Sequence, residues 1–96
     1  MGNEKYILVS HFVERSNIEV DFVQSLHEYG LVVFEERENE TFIDEGDISE
    51  IERLFRLHHD LGINYEGLDV IKQMLERMQR MEKEMDLLQK RLRLYE

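Results

Sequence analysis

The sequence has 96 residues and a formal net charge of −10, and it contains no cysteine. A chain of this length forms one domain with room for an appended helix. The absence of cysteine excludes disulfides and thiolate metal sites. The apolar stretches are too short to span a bilayer and residues 1–6 lack the layout of a signal peptide, so we expect a cytoplasmic protein without membrane association.

The whole charge excess lies in the first half of the chain. Residues 1–50 carry three basic and thirteen acidic side chains, whereas residues 51–96 carry nine of each. An acidic module attracts basic partners and repels phosphates, anionic lipids and nucleic acids. The composition therefore favours a basic partner.

The first predicted elements form a helix-turn-helix. Tyr6 to Val9 is a short apolar segment, predicted as a strand or an extended lead-in. Ser10 is the expected N-cap of a short helix, and Asn17 suits the left-handed conformation that ends it. A second helix is predicted from about Glu19 to Tyr29, with Gly30 in the C′ position, and two helices joined in this way form a helix-turn-helix. The side chains expected to face the core are Phe12, Val13, Val20, Phe22, Val23 and Leu26.

Residues 31–43 are predicted to form a β-hairpin, the wing of a winged helix. Leu31 to Phe34 is β-branched and aromatic, and Thr41 to Ile43 is expected to pair with it across the polar loop EERENE. Residues 18–43 together carry seven acidic side chains and a single basic one, Arg37. The elements with which such a domain usually reads DNA are therefore acidic.

Two further helices are predicted. Asp47 and Glu50 have the spacing of a capping box at the start of the third helix, and Gly62 ends it. Asn64 can cap a fourth helix that begins near Tyr65, and no proline interrupts it before the C-terminus. The apolar positions of the third helix recur at helical spacing and are Ile48, Ile51, Leu54, Phe55, Leu57 and Leu61.

From residue 71 onward the apolar residues follow one another at alternating steps of three and four, which is typical of a coiled coil. We therefore predict a helix-turn-helix domain over residues 1–69 and a dimerisation helix over residues 70–96 that pairs with a second copy. The alternative is a single amphipathic helix packed on its own domain. Parallel and antiparallel pairing both stay open. The predicted dimer contacts are Ile71, Met74, Met78, Met81, Met85, Leu88, Leu92 and Tyr95.

Catalysis, metal binding and cofactor binding are not expected. Adjacent helical positions point about 100° apart, so His58, His59 and Asp60 cannot converge on one ion. Glu35 and Glu36 on an exposed wing tip lack the burial that would separate their pKa values for acid–base chemistry. Motifs for phosphate loops, nucleophile elbows and zinc sites are absent from the sequence.

The order of these elements resembles the MerR-like winged helix-turn-helix family. Tyr29-Gly30-Leu31 lies where that family has a Gly-Leu step, and Asp47-Ile48 with Ile51, Leu54 and Leu57 is similar to its third-helix pattern. Gly62-Ile63-Asn64-Tyr65-Glu66 with Leu68 is similar to its turn into the fourth helix. The resemblance covers nearly the full chain. It implies a mainly α fold, a winged helix-turn-helix with a small β-hairpin wing and a C-terminal coiled-coil helix.

The chain departs from the DNA-binding members of that family at positions that contact DNA. Those members carry an arginine in the second helix, where this chain has Gln24, and another in the wing, where it has Thr41. A tyrosine of the second helix corresponds to Leu26. Such arginines bind phosphate, and each lost phosphate contact removes affinity and flattens the salt dependence of binding.

One branch with this outline, the chaperone-modulator proteins of CbpM type, binds a protein instead. Members bind the J-domain of a DnaJ-like co-chaperone and inhibit it. The short length resembles that branch, as do FID at 42–44 and the segment RLFRLHHDLGINYEGLDVI that follows. The resemblance implies that the acidic surface covers the basic helix that a J-domain presents to its chaperone partner.

We therefore predict a non-enzymatic adaptor that inhibits a J-domain by steric and electrostatic competition. Phe34 and Tyr29 either anchor the partner or pack beneath the wing. A DNA-binding regulator is the alternative, and it requires Lys5, Arg15, Arg53 and Arg56 to contact DNA; a bare dimerisation adaptor is a third possibility. The predicted partner-binding residues are Glu19, Asp21, Glu28, Phe34, Glu35 and Glu36.

Overall fold

The computed structural model describes residues 5–95. Three short strands and four helices follow one another in the order β1 (Tyr6–Leu8), α1 (Val9–Ser16), α2 (Val20–Glu28), β2 (Phe34–Arg37), β3 (Glu40–Asp44), α3 (Ile48–Leu61) and α4 (Tyr65–Leu94). A 3₁₀ turn, Glu45–Asp47, connects β3 to α3. The predicted fold, mainly helical with a helix-turn-helix, a small wing and a long C-terminal helix, is confirmed.

The first helix begins two residues earlier than predicted. α1 starts at Val9, directly after β1, so Ser10 lies in its first turn and the N-cap residue is Leu8, which makes no side-chain capping bond. The predicted end is confirmed, because Asn17 has a φ of 63° and its N–H donates to the oxygen of Val13 at 3.2 Å. Asparagine tolerates this left-handed conformation better than most residues.

The second helix ends in a Schellman motif. The N–H of Gly30 donates to the oxygen of His27 at 3.0 Å, and that of Leu31 donates to the oxygen of Leu26 at 2.8 Å. Gly30 has a φ of 74°, which confirms the predicted C′ position. Val20 was expected to be buried and is 42% exposed, because its side of α2 faces the wing rather than the core.

The wing is a hairpin in a different register from the predicted one. β2 begins at Phe34, where the predicted strand ends, and Glu35 and Glu36 pair with Phe42 and Thr41 instead of lying in a loop. The turn contains only Glu38 and Asn39, with φ values of 51° and 67°, as a type I′ turn requires. The predicted strand residues Leu31 and Val32 are buried in the connection between α2 and β2.

The third and fourth helices are separated by a short turn. Gly62 has a φ of 68° and is the residue at which α3 ends. The Asn64 side chain caps α4, because its oxygen accepts a hydrogen bond from the N–H of Gly67 at 2.8 Å. These two predictions are confirmed. The Asp47 capping box is wrong, because the Asp47 side chain makes no capping bond and Asp44 instead accepts from Gly46 in the preceding 3₁₀ turn.

All strands and all four helices contribute to the packing of one small domain, with β3 between β1 and β2 in an antiparallel sheet. Leu61 was expected to face inward, but it is 69% exposed as the last residue of α3. The buried core consists of Val9, Phe12, Ile18, Phe22, Val23, Leu26, Leu31, Val32, Ile43, Ile51, Leu54 and Leu68.

The last helix extends far beyond this core. α4 has 30 residues and is therefore about 45 Å long at 1.5 Å per residue. Leu68 is fully buried and Ile71 and Leu75 are half-buried, whereas every residue from 76 to 95 is exposed. The alternative of an amphipathic helix packed on its own domain therefore does not hold for residues 76–95.

Candidate functional site

The exposed face of α2 forms one side of a groove. Phe22, Val23 and Leu26 bury the opposite side of the helix, which leaves Gln24 and Glu28 at a four-residue spacing on the solvent side. Leu26, the position at which the resemblance implies a tyrosine, is fully buried. The core pattern of α2 thus determines which of its polar side chains face the wing.

The wing forms the other side of the groove. Successive residues of a strand point to opposite faces, and Phe34 pairs with the buried Ile43, so Phe34 and Glu36 share the face that is turned towards α2. Thr41, the partner of Glu36, lies on the same face. Glu35 lies on the other face.

α2 and the wing enclose an open groove with two adjoining depressions. The larger has a volume of about 440 Å³ and is lined by Gln24, His27, Glu28, Phe34, Glu36 and Thr41. The smaller has a volume of about 300 Å³ and is lined by Leu8, Val9, Ser10, Val20, Gln24, Phe34, Glu40 and Thr41. We call this surface the α2–wing groove.

Two parallel rings form the floor of the larger depression. His27 and Phe34 stack with their centroids 4.2 Å apart and 8° between their planes. The Nδ1 atom of His27 lies 3.2 Å from the oxygen of Val32. Because a carbonyl oxygen only accepts, Nδ1 carries the proton, which leaves Nε2 of the neutral ring as an acceptor.

The polar atoms of the groove are mainly acceptors. Glu28 and Glu36 are exposed, and within residues 5–95 their carboxylates have no lysine or arginine at ion-pair distance. Arg37, the one basic side chain of the wing, instead contacts Glu35 at 3.6 Å and lies 4.7 Å from the ring centroid of Tyr6. The groove is therefore a region of negative potential without an internal counter-charge.

The two positions at which the resemblance implies phosphate-binding arginines lie in this groove together. Gln24 lines it from α2 and Thr41 lines it from β3. An amide and a hydroxyl carry no charge, and Glu28 and Glu36 next to them repel phosphate. The arrangement fits a cationic ligand better than an anionic one.

The structure brings three of the six predicted partner-binding residues into the groove: Glu28, Phe34 and Glu36. Asp21 is exposed in the first turn of α2, and Glu19 is the exposed N-cap residue of that helix. Glu35 lies on the outer face of the sheet with Arg37. These six assignments stay predictions, but only half of them share one surface.

Sequence reasoning did not assign His27 to the site and took Gln24 and Thr41 only as departures from a pattern. The spacing of Gln24, His27 and Glu28 on one helix predicts a shared face, and strand alternation predicts that Phe34 and Glu36 lie on one side of the wing. The distance between α2 and the wing depends on the packing of the core, so it cannot be predicted from the local sequence of either element.

The predicted dimer contacts form a continuous apolar stripe along α4. Seven of them are exposed, from 53% for Met78 and Met81 to 90% for Tyr95, and Ile71 is half-buried against the domain. The only charged pair on this part of the helix within the described chain is Lys90 with Asp86, at 3.1 Å. The stripe is therefore available to a second helix.

Three ring side chains outside the groove, His58, Tyr65 and Tyr29, have structural roles. His58 Nδ1 donates to the oxygen of Ile63 at 2.7 Å, and the His58 ring stacks on Tyr65, which in turn stacks on Tyr29. The Tyr29 hydroxyl donates to Glu66 at 3.2 Å, and this hydrogen bond together with the charge of the carboxylate raises the pKa of Tyr29 above its ordinary value. Tyr29 thus joins α2 to α4 instead of projecting freely.

Neither a metal centre nor a membrane span is found in the described chain. Among residues 5–95, no three His, Asp or Glu side chains lie close enough together to hold a metal ion. The helices in the same range are too polar or too short to cross a bilayer.

Comparison with known proteins identifies the family. None of the curated proteins matches the sequence significantly. The family model of the MerR helix-turn-helix regulatory proteins matches residues 7–90. That range includes the helix-turn-helix, the wing, α3 and most of α4. The chain therefore belongs to the MerR helix-turn-helix family of regulatory proteins.

Proposed function

We propose that this protein is a chaperone-modulator-like adaptor that binds the J-domain of a DnaJ-like co-chaperone and inhibits it. The observation that supports this proposal is the α2–wing groove, which combines acceptors and uncompensated carboxylates where DNA-binding relatives are expected to have arginines. The family assignment supports a regulatory rather than a catalytic role.

The charge of the groove favours a basic protein over DNA. A duplex presents one phosphate charge for about every 1.7 Å of its axis, so Glu28 and Glu36 would face a dense line of like charge. A protein helix with lysines and arginines presents the opposite charge and donates hydrogen bonds to carboxylates, which makes the contact charge-assisted. The J-domain presents such a helix to its chaperone partner.

Inhibition follows from competition for that helix. When the groove and the exposed face of α2 cover the basic helix of the J-domain, the chaperone partner loses access to it. Electrostatic attraction between the two surfaces accelerates the encounter and makes binding sensitive to salt. Inhibition should be observed as a lower rate of J-domain-stimulated ATP hydrolysis by the chaperone.

We also propose that the apolar stripe of α4 pairs with α4 of a second copy. A soluble monomer rarely leaves so long an apolar stripe exposed, and steps of three and four residues suit a helical partner. A homodimer would present two α2–wing grooves.

Calorimetric titration against the J-domain of a co-chaperone from the same organism tests the proposal. We compare the wild type with Glu36→Lys, in the groove, and with Glu35→Lys, on the opposite face of the same strand. Both variants change the net charge equally, so long-range attraction weakens equally and the difference between them isolates the groove.

We expect Glu36→Lys to weaken binding by about tenfold and to flatten its salt dependence, and Glu35→Lys to change the affinity by less than about threefold. Equal losses for the two variants would remove the groove from the interface. An absence of binding heat for the wild type at any salt concentration would refute the J-domain as the partner.

A further inference from the structure

A lysine near the start of α4 is tied to the connection between α2 and the wing. Lys72 is half-buried, and its Nζ donates to the backbone oxygen of Leu31 at 2.7 Å. Its charge also opposes the rise that burial and Asp44 cause in the pKa of Asp47. A half-buried ammonium group is stabilised when it donates a hydrogen bond to such an acceptor. Lys72 thus joins the long helix to a loop 41 residues earlier in the sequence.

That loop has little freedom to move independently of its surroundings. Leu31 and Val32 are 3% and 5% exposed, so both side chains are held in the core. The N–H of Leu31 is bonded within the Schellman motif at the end of α2, and its oxygen is the acceptor for Lys72. A displacement of α4 at Lys72 would therefore displace the backbone of both residues.

The same loop holds the floor of the groove. The oxygen of Val32 accepts from His27 Nδ1 at 3.2 Å, and the His27 ring stacks on Phe34, the first residue of β2. Both rings line the α2–wing groove. An unbroken series of contacts therefore runs from Lys72 through Leu31 and Val32 to the two rings.

We infer that Lys72 is a positioning residue that couples the pairing of α4 to the geometry of the α2–wing groove. Pairing fixes α4, Lys72 transmits that position to the Leu31–Val32 backbone, and the stacked rings hold the groove in the form that the partner binds. Coupling of this kind is reciprocal, so binding in the groove also favours pairing. The inference rests on the proposed function for its partner, but its first test does not use the partner.

The first test measures the groove by NMR with and without pairing. Met81→Glu with Leu88→Glu places four charges in the seam of a pair and prevents it; this double variant is called the unpaired variant. We compare the amide resonances of Val32 and Phe34 in the wild type and the unpaired variant, and then repeat the comparison with Lys72→Met in both.

When Lys72 is present, we expect the Val32 and Phe34 resonances of the unpaired variant to differ in chemical shift from those of the wild type. When both proteins carry Lys72→Met, this difference should fall by more than half. Lys72→Arg keeps a charged donor and should keep the full change, and Lys83→Met, an equivalent change at an exposed position of α4, should do the same. Equal changes with and without Lys72→Met, or no change in either background, would overturn the inference.

The second test uses the J-domain. We expect about fivefold weaker binding by the unpaired variant than by the wild type, and a ratio below about twofold when both carry Lys72→Met. If the J-domain does not bind the wild type while the resonances respond as expected, the proposed function fails and the role of Lys72 stands. If the J-domain binds, but neither its affinity nor the resonances respond to Lys72→Met as expected, the proposed function stands and the role of Lys72 fails.

Discussion

The domain at the start of the chain and the long end of α4 use apolar residues in opposite ways. Within residues 5–95, the twelve buried apolar side chains all lie between Val9 and Leu68. Every residue from 76 to 95 is exposed, although the apolar stripe continues to Tyr95. The domain therefore contains the whole apolar core of the described chain. A single helix of about 20 residues has little stability alone in water, so the proposed pairing would stabilise the end of α4.

The two regions also differ in charge. Residues 1–50 hold the entire net charge of −10, and residues 51–96 are balanced. The negative charge thus lies in the domain, whereas residues 76–95 carry six basic and four acidic side chains.

The largest effect is expected from the core of the domain. Leu54 is fully buried, so Leu54→Ala leaves a cavity and should lower the free energy of unfolding by about 3 to 4 kcal/mol. Leu94→Ala, the same change at a position that is 82% exposed outside the seam, should cost less than about 0.5 kcal/mol. Urea unfolding followed by circular dichroism measures the stability of both variants. Similar losses for Leu54→Ala and Leu94→Ala would contradict the difference between the buried domain and the exposed end of α4.

The next effect concerns assembly. The unpaired variant should raise the dissociation constant of the homodimer at least about hundredfold, roughly 2.7 kcal/mol, because the seam would bury unpaired carboxylates. Gln73→Glu with Gln79→Glu adds the same charge outside the seam and should leave pairing intact. Sedimentation velocity distinguishes monomer from dimer. If the wild type sediments as a monomer at high concentration, the proposed pairing of α4 is wrong.

A smaller effect is expected at the junction of the two regions. Asn64→Ala removes the side-chain oxygen that accepts from Gly67 at the start of α4, and should lower the free energy of unfolding by about 1 kcal/mol. Asn64→Asp keeps an acceptor and should retain most of the stability. A thermal unfolding series reports both values, and an unaffected Asn64→Ala variant would show that the cap contributes nothing.

The smallest effect is a pH dependence within the domain. Burial raises the pKa of Asp47 above its ordinary value of 3.8, the Asp44 charge raises it further, and Lys72 partly opposes the rise. The native state therefore binds this proton more tightly than the unfolded chain, so the group favours the native state at low pH. That contribution is lost as pH rises from about 3.8 through the folded-state pKa.

Asp47→Asn should remove the loss of stability that accompanies ionisation of Asp47 as the pH rises. At neutral pH the gain in the free energy of unfolding should not exceed about 0.5 kcal/mol, because solvent screens a half-buried carboxylate. Chemical denaturation at pH 4 and at pH 7 compares the variant with the wild type. A lower stability of the variant at pH 7 would mean that the Asp47 charge stabilises the native state.

The sequence predicted most reliably what depends on neighbouring residues. Asn17, Gly30 and Gly62 have the left-handed conformations expected of helix ends, and Asn64 caps α4. These positions could be identified because their backbone geometry and hydrogen bonds involve residues only three to five positions away.

The errors arose where the rest of the domain decides between local alternatives. Leu31 and Val32 are as suitable for a strand as for a buried connection, and the core selects the latter, which moves the wing register. The 3₁₀ turn leaves Asp47 without a capping bond. The groove could be predicted only in part, because the stacking of His27 on Phe34 depends on how closely α2 and the wing approach.

Titration with a non-specific DNA duplex at low salt tests whether the α2–wing groove, which we propose accepts a basic protein surface, rejects phosphate. A DNA-binding protein retards such a duplex at about micromolar concentrations under these conditions, and the retardation disappears as salt is added. We predict no salt-dependent retardation by this protein at concentrations that saturate the J-domain. Retardation that weakens steeply with salt would show that the protein binds phosphate and would favour a DNA-binding regulator.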